Sequence, residues 1–179
     1  MADIKIAGFG GQGVLTAGKI LIDVIAHMGK NVSWTSSYGA EMRGGPSSCA
    51  IVVSDGDIGT PYPSKLDILV AMDERSYDTY CGDVRPGGVI VANSTIIPNK
   101  EIPSGVKVFA VDAGNIAHQC ENARGTNLVM LGAMMKATKL ADEKVFCDGL
   151  NRYFDQKGKN SPKNEQCYTE GYMKATEWC

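Results

Sequence analysis

Only two histidines, His27 and His118, occur in the 179-residue sequence, and its six cysteines (Cys49, Cys81, Cys120, Cys147, Cys167, Cys179) contain no pair at C-x-x-C spacing. A histidine metal site or a Ser/His/Asp triad is poorly supplied, which disfavours most hydrolase chemistry. The scattered thiols lack the local spacing of a zinc site or an iron–sulfur cluster and read as reduced core or surface thiols. Blocks of like charge are also missing. With 18 Lys+Arg against 20 Asp+Glu the net charge is −2, so no basic field for nucleic acid is expected. The longest charge-free run, 86–99, holds two prolines and falls short of the ~18 to 20 residues that span a bilayer. Met1-Ala2-Asp3 opens without a basic leader, so neither a membrane partner nor a targeting signal is expected, and the predicted location is the cytoplasm.

What is present is a globular composition, 44% hydrophobic and 21% charged, with glycine in excess at 21 residues and gathered in clusters. The length fits one domain, 1–179. Ile4 to Phe9 reads as a strand. Val14, Ala17, Leu21, Val24, Ile25 and Met28 then recur at helical spacing from Gly13, with Thr16, Lys19, Asp23 and His27 on the other face and Gly29 as the stop. Further strands are predicted at Asn31–Ser36, Ser48–Val53, Leu66–Ala71, Gly88–Ala92 and Val106–Val111, the third and fourth as interior parallel strands. A helix at Glu74–Cys81 and a turn at Arg85-Pro86-Gly87 separate those two. Asp112 caps a predicted helix through His118 or Gln119. The remainder reads as all-helical: Asn127–Lys139, Asp142–Phe154, and a last helix from Ser161-Pro162 toward Trp178. The expected class is α/β: a single three-layer α/β/α domain with a mainly parallel sheet, a Rossmann-like start and a helical C-terminal part. The small residues Gly132, Ala133 and Ala137 permit close helix contact and suggest a homodimer of the isolated chain, while Met130, Met134 and Met135 read as core or interface filler.

Gly8-Phe9-Gly10-Gly11-Gln12-Gly13 matches G-x-G-x-x-G between a strand and a helix. Such a turn lets backbone N–H groups approach a phosphate, or simply packs strand against helix with no ligand. The acidic residue that would meet a ribose at the end of the second strand is missing, since Trp34-Thr35-Ser36-Ser37 stands there, which disfavours NAD(P) chemistry. No Walker P-loop and no usable Gly-Asp-Gly…Asn thiamine diphosphate motif is present; Asp55-Gly56-Asp57 has the wrong order. A second cluster, Ser36 to Pro46, contains Ser37, Tyr38, Gly39, Glu41, Arg43, Gly44 and Gly45. Its Arg43 offers a rigid donor fork for a carboxylate or phosphate, with Glu41 as the local alternative partner. One reading is a self-satisfied loop. The other is that both glycine-rich segments meet at the carboxyl edge of the sheet and form one surface for an anion or a neighbouring subunit.

Taken in order, Gly8 to Val14, Ser37 to Gly45, Ser54-Asp55, Pro61 and Asp67 to Met72 resemble the gamma subunit of the 2-oxoacid:ferredoxin oxidoreductases. The likeness covers essentially the whole chain, including Asn127 to Gly132 and Asn164 to Gly171. It implies a subunit, inactive alone, of a complex that oxidatively decarboxylates a 2-oxoacid with coenzyme A and reduces ferredoxin. It further implies alpha, beta and ferredoxin-like delta partners that carry thiamine diphosphate, Mg2+ and the iron–sulfur clusters, with no catalytic or metal-binding residue and no tightly held cofactor on this chain. The cofactor-binding or subunit-contact residues implied are Gly8, Gly10, Gly11, Gln12, Gly13, Ser37, Tyr38, Gly39, Glu41, Arg43, Gly44 and Gly45. Tyr38-Gly39 with Arg43-Gly44-Gly45 resembles 2-oxoglutarate or branched-chain types more than pyruvate types, and 2-oxoglutarate is favoured. A stand-alone nucleotide or dinucleotide binding module is the rival reading; it uses the first glycine turn and leaves the second cluster unexplained.

Overall fold

The apolar runs assemble into one seven-stranded sheet. In the computed structural model, which describes residues 1–38 (Tyr38 by its backbone), 45–98 and 100–178, β1 (Ala2–Phe9) leads into α1 (Val14–His27), and β2 (Asn31–Tyr38) and β3 (Pro46–Ser54) follow. Next come β4 (Leu66–Ala71), α2 (Glu74–Tyr80), one turn of 3-10 helix (Cys81–Asp83), β5 (Val84–Asn93) and β6 (Lys107–Val111). Then α3 (Ala113–Gln119), α4 (Thr126–Thr138), α5 (Glu143–Asp155) and α6 (Pro162–Lys174) precede the short β7 (Thr176–Glu177). The strand order is β2-β3-β1-β4-β5-β6-β7. β1, β2, β4, β5 and β6 point one way, while β3 and β7 run against them. The Rossmann-like start therefore ends with α1: β3, not β2, is the neighbour of β1 on that side.

Period-two alternation gives the sheet two apolar faces, and each takes its own helices. Ile4, Ile6, Ile51, Val70 and Val91 face a large core shared with α1, α3, α4, α5 and α6. Leu69, Ile90 and Val108 face the other side, covered by α2 through Tyr77. This makes three layers. The glycines of the helical part act inside it. A Cβ on Gly132 would overlap the Tyr168 carbonyl oxygen, and one on Gly171 would overlap that of Val129, so α4 and α6 cross backbone to backbone. Tyr168, fully buried, stacks on Phe146 at 5.4 Å and donates its hydroxyl to the Glu143 carbonyl at 3.3 Å. The small-residue side of α4 is thus spent on an internal contact and is not open to a second copy.

Two stretches differ in kind from the sequence reading. The turn expected at Arg85-Pro86-Gly87 lies within β5, where the pairing with β4 jumps from Leu66–Val84 to Ile68–Val89. Gly87 there has φ +85° and donates its N–H to Gly105 at 2.6 Å, a partner distant in sequence that local turn chemistry does not foresee. The last helix stops at Lys174; Thr176 and Glu177 instead pair with Ala110 and Phe109, and Trp178 donates its N–H to Val108 at 2.7 Å. Asp112 stands at the N-cap of α3 as expected; its carboxylate accepts from Thr95 Oγ1 at 2.6 Å and Asn115 Nδ2 at 2.8 Å, and the Gly114 N–H is taken by Thr95 Oγ1 at 2.7 Å. No helix among the described residues is long and apolar enough to cross a membrane.

Candidate functional site at the carboxyl edge of the sheet

In an open α/β sheet, ligands gather beyond the carboxyl ends of the strands where successive helices leave to opposite faces. Here that point lies between β1 and β4, because α1 covers one face and α2 the other. The glycine turn sits on it. Gly13 holds φ +79° as the N-cap of α1, a left-handed conformation that suits glycine. Asn127 of α4 donates to the Gly13 carbonyl at 3.2 Å, and its Nδ2 would be 2.7 Å from a Cβ on Gly13. Gly11, at φ +109°, faces open space. Among the described residues no side chain caps α1, and its first turn carries no acidic residue, so the N-terminal amides keep their partial positive charge.

Gln12 closes the crevice itself. Its Oε1 accepts the Phe9 N–H at 2.9 Å, and its Nε2 donates to the Met72 carbonyl at 3.0 Å. Asn93, buried at the end of β5, donates to the same carbonyl at 3.3 Å. Gly8 is glycine because a Cβ there would overlap Gln12 Oε1. The mouth between β1 and β4 is therefore plugged by a side-chain amide, and the accessible surface divides on either side of Phe9, which is 39% exposed. On the α2 side lies a cleft of about 380 Å³ lined by Gly8, Phe9, Ser37, Ser48, Arg75 and Tyr80, among others. On the α3 side lies one of about 290 Å³ that includes Gly11, Gln12, Thr95, Ile96, Arg124 and Thr126. Hydrogen bonds from Thr95 and Asn115 hold the Asp112 carboxyl below its usual range beside the second cleft.

One of the two sequence readings had the glycine-rich segments meet, and Gly45, the described end of the second, touches the first: the Gly10 N–H donates to the Gly45 carbonyl at 2.9 Å. Ser37 pairs with Ser48 and Tyr38 with Ser47 in the β2–β3 ladder, placing both next to β1's end. Gly8, Gly10, Gly11, Gln12 and Gly13 form the turn. Gly39, Glu41, Arg43 and Gly44 lie outside the described residues. Sequence reasoning did not find Arg75, Asn93, Thr95 or Arg124. Asn93 and Thr95 had a usable signal, since they directly follow a parallel strand. The two arginines come from α2 and from the α3–α4 connection, and only the fold brings them to this edge.

Among the described residues the side chains do not fit an iron–sulfur cluster or a Mg2+–diphosphate site. Among the described residues no three His, Cys, Asp or Glu gather to hold a metal. Cys120 and Cys167 touch, yet they are two thiols where a cluster needs four, and burial pushes Cys167 up to about 12.

The sequence pattern of the family described as "Pyruvate ferredoxin/flavodoxin oxidoreductase" matches residues 3–174. Among curated proteins, the chain is 39% identical to the ketoisovalerate oxidoreductase subunit VorA of Methanothermobacter marburgensis over 87% of its own length and 33% of that protein. It is 32% identical to the 2-oxoglutarate synthase subunit KorC of Methanocaldococcus jannaschii over 98% of its length and 94% of that protein. The chain thus spans about a third of the VorA relatives it matches and nearly the whole of this KorC. Among solved structures, the gamma subunit of a keto/oxoacid ferredoxin oxidoreductase from Geobacter sulfurreducens superposes with a TM-score of 0.78 at 25% identity, covering 97% of both chains.

Proposed function

The chain belongs to the pyruvate ferredoxin/flavodoxin oxidoreductase family, and from that premise we propose that it is a single gamma-type domain, 1–179, serving as the gamma subunit of a complex. The complex oxidatively decarboxylates a 2-oxoacid with coenzyme A, releasing CO2 and acyl-CoA and reducing ferredoxin. Thiamine diphosphate, Mg2+ and the iron–sulfur clusters supply the decarboxylation and electron transfer from alpha, beta and delta partners. The observation that carries this reading is the match over 98% of this chain and 94% of the 2-oxoglutarate synthase subunit KorC. The same match favours 2-oxoglutarate as the substrate. A branched-chain 2-oxoacid is the second reading, supported by the higher identity to VorA.

This chain's own part is a backbone surface. Uncapped amides at the start of α1 and the Gly10–Gly13 turn, tied to Gly45, offer partial positive charge to a coenzyme A phosphate or to an acidic edge of an adjoining subunit. Arg43 is the side chain proposed to complete it. The test begins with mass spectrometry of what co-purifies with the tagged chain, isolated without oxygen from its native host. A thiamine-binding subunit and a larger alpha-type subunit are expected, and that material then turns over 2-oxoglutarate ahead of 2-oxoisovalerate. Recovery of the chain alone, binding nucleotide, would replace this reading with the stand-alone module. Within the complex, Gly11→Val and Arg43→Ala are expected to weaken assembly or raise the apparent KM for coenzyme A; if both variants leave both quantities unchanged, the surface has another role.

A further inference from the structure

The parallel pairing of β1 with β4 stops one bond short of the carboxyl edge. Ile4–Ile68 through Ala7–Ala71 are in register, and beyond them the Met72 N–H donates to the Ala7 carbonyl at 2.8 Å. In a parallel ladder the next bond would join the Phe9 N–H to the Met72 carbonyl. Instead the Phe9 N–H goes to Gln12 Oε1 at 2.9 Å, and the Met72 carbonyl accepts from Gln12 Nε2 at 3.0 Å. One carboxamide is inserted where two main-chain groups would have met. The strand ends thus form a slot with a donor on one wall and an acceptor on the other, and Gly8, whose Cβ would overlap Gln12 Oε1, keeps it open.

Three features favour exchange of Gln12 for an outside group. Asn93, 2% exposed, also donates to the Met72 carbonyl at 3.3 Å, and its own Oδ1 accepts the Thr95 N–H at 3.2 Å, so the carbonyl keeps a fixed partner when Gln12 leaves. Gly11 and Gly13 flank Gln12 at φ +109° and +79°, and Gly11 faces open space, so the side chain has somewhere to turn. The clefts of about 380 and 290 Å³ share Phe9 as a wall, and Gln12 lines the smaller one; its departure joins them across the turn.

We propose that the slot is a binding subsite for a ligand edge carrying an acceptor beside a donor, and that Gln12 fills it in the unliganded chain as an internal stand-in for that edge. An amide fits, its oxygen taking the Phe9 N–H and its N–H reaching the Met72 carbonyl. An adenine edge fits in the same way, a ring nitrogen adjoining the amino group. Coenzyme A carries both, in its pantetheine arm and its base, and the proposal rests on the coenzyme A surface proposed above. Each Gln12 bond is replaced in kind by such an edge, so the exchange is near neutral in hydrogen bonds. A group with acceptors alone sets an oxygen against the Met72 carbonyl and is rejected, which makes the slot selective.

The test is nuclear magnetic resonance of the full isolated chain, isotope-labelled, read at the Gln12 side-chain amide and the Phe9 N–H. The probes are pantetheine, adenosine monophosphate and inorganic pyrophosphate. Movement of both signals with pantetheine assigns the slot to the amide, and with adenosine monophosphate to the base. Pyrophosphate is expected to shift the Gly10 to Gly13 amides and leave the Gln12 side chain in place. Gln12→Ala should tighten binding of the active probe about tenfold, the gain for a slot otherwise open a tenth of the time. If the probes shift the turn amides without moving the Gln12 side chain, or bind Gln12→Ala no more tightly, the subsite is overturned and the phosphate surface stands. Silence from all three probes overturns both. If Gln12→Ala does not fold, the signals of the unaltered chain decide.

Discussion

At the crossing of α4 and α6, Gly132 and Gly171 let backbone lie against backbone; at the carboxyl edge, Gly8 and Gly13 make room for the side chains of Gln12 and Asn127. The first pair lies deep in the helical layer beside fully buried Tyr168, so nothing there can relax without separating two helices. The second set lies at the end of the sheet, Gly8 buried and Gly13 partly so, and what it admits is a hydrogen-bonded amide. Glycine enrichment in a sequence therefore marks two different needs, and only the neighbours tell which. The richer motif by eye, G-x-G-x-x-G, proves in part to be a socket for a residue of its own turn.

The contrast breaks most sharply if Gly132→Ala or Gly171→Ala is tolerated. Each is expected to cost about 3 kcal/mol or more, because a methyl group must displace main chain in a packed core. Urea unfolding measures it, and a loss below about 1 kcal/mol would mean the helices cross less tightly than the structure has them. Gln12→Ala comes next. It removes two hydrogen bonds and leaves the Met72 carbonyl to Asn93 alone, for an expected loss of about 2 kcal/mol. Gly13→Ala should cost about as much, through left-handed strain and the displacement of Asn127. Gly11→Ala, strained at φ +109° but facing open space, should lose about 1 kcal/mol. A Gly11 variant as costly as Gly132→Ala would erase the distinction between the regions.

The smallest effect at neutral pH belongs to Cys167, whose thiol is raised from 9.0 to about 12 by burial and by Cys120 beside it. Below pH 9 the folded and unfolded chains both keep this proton, and its contribution is fully present. As pH rises toward 12 the unfolded chain ionises first, so stability falls through that window. Urea midpoints near neutrality and at about pH 10 should show a shallower decline for Cys167→Ala. An unchanged slope would place the alkaline sensitivity elsewhere.

Much of the fold could be read from local pattern. Leu66–Ala71 came out to the residue, and Ser161 caps α6 through its own side chain as expected, while Asp142, read as the first residue of its helix, caps α5 instead. The misreadings share a cause. Pro86 and Gly87 read as a turn because nothing nearby reveals that Gly105 holds that stretch in the sheet, and Thr176 and Glu177 read as helix because their partners lie in β6. The candidate site was half legible. The glycine turn and its meeting with the Ser36–Pro46 connection followed from composition and from the rule for carboxyl edges, whereas Arg75 and Arg124 arrive from elements whose sequence carries no sign of a shared surface.

By itself the sequence determined the alternation of strands and helices, the glycine turn between β1 and α1, and the family likeness, since these rest on periods, caps and spacings within a few residues. The tertiary structure alone decided that β3 stands between β1 and β2, that Gln12 fills the crevice, and that Gly132 serves α6. Each of those depends on contacts between segments far apart in the chain, and such contacts are set by how the layers close together.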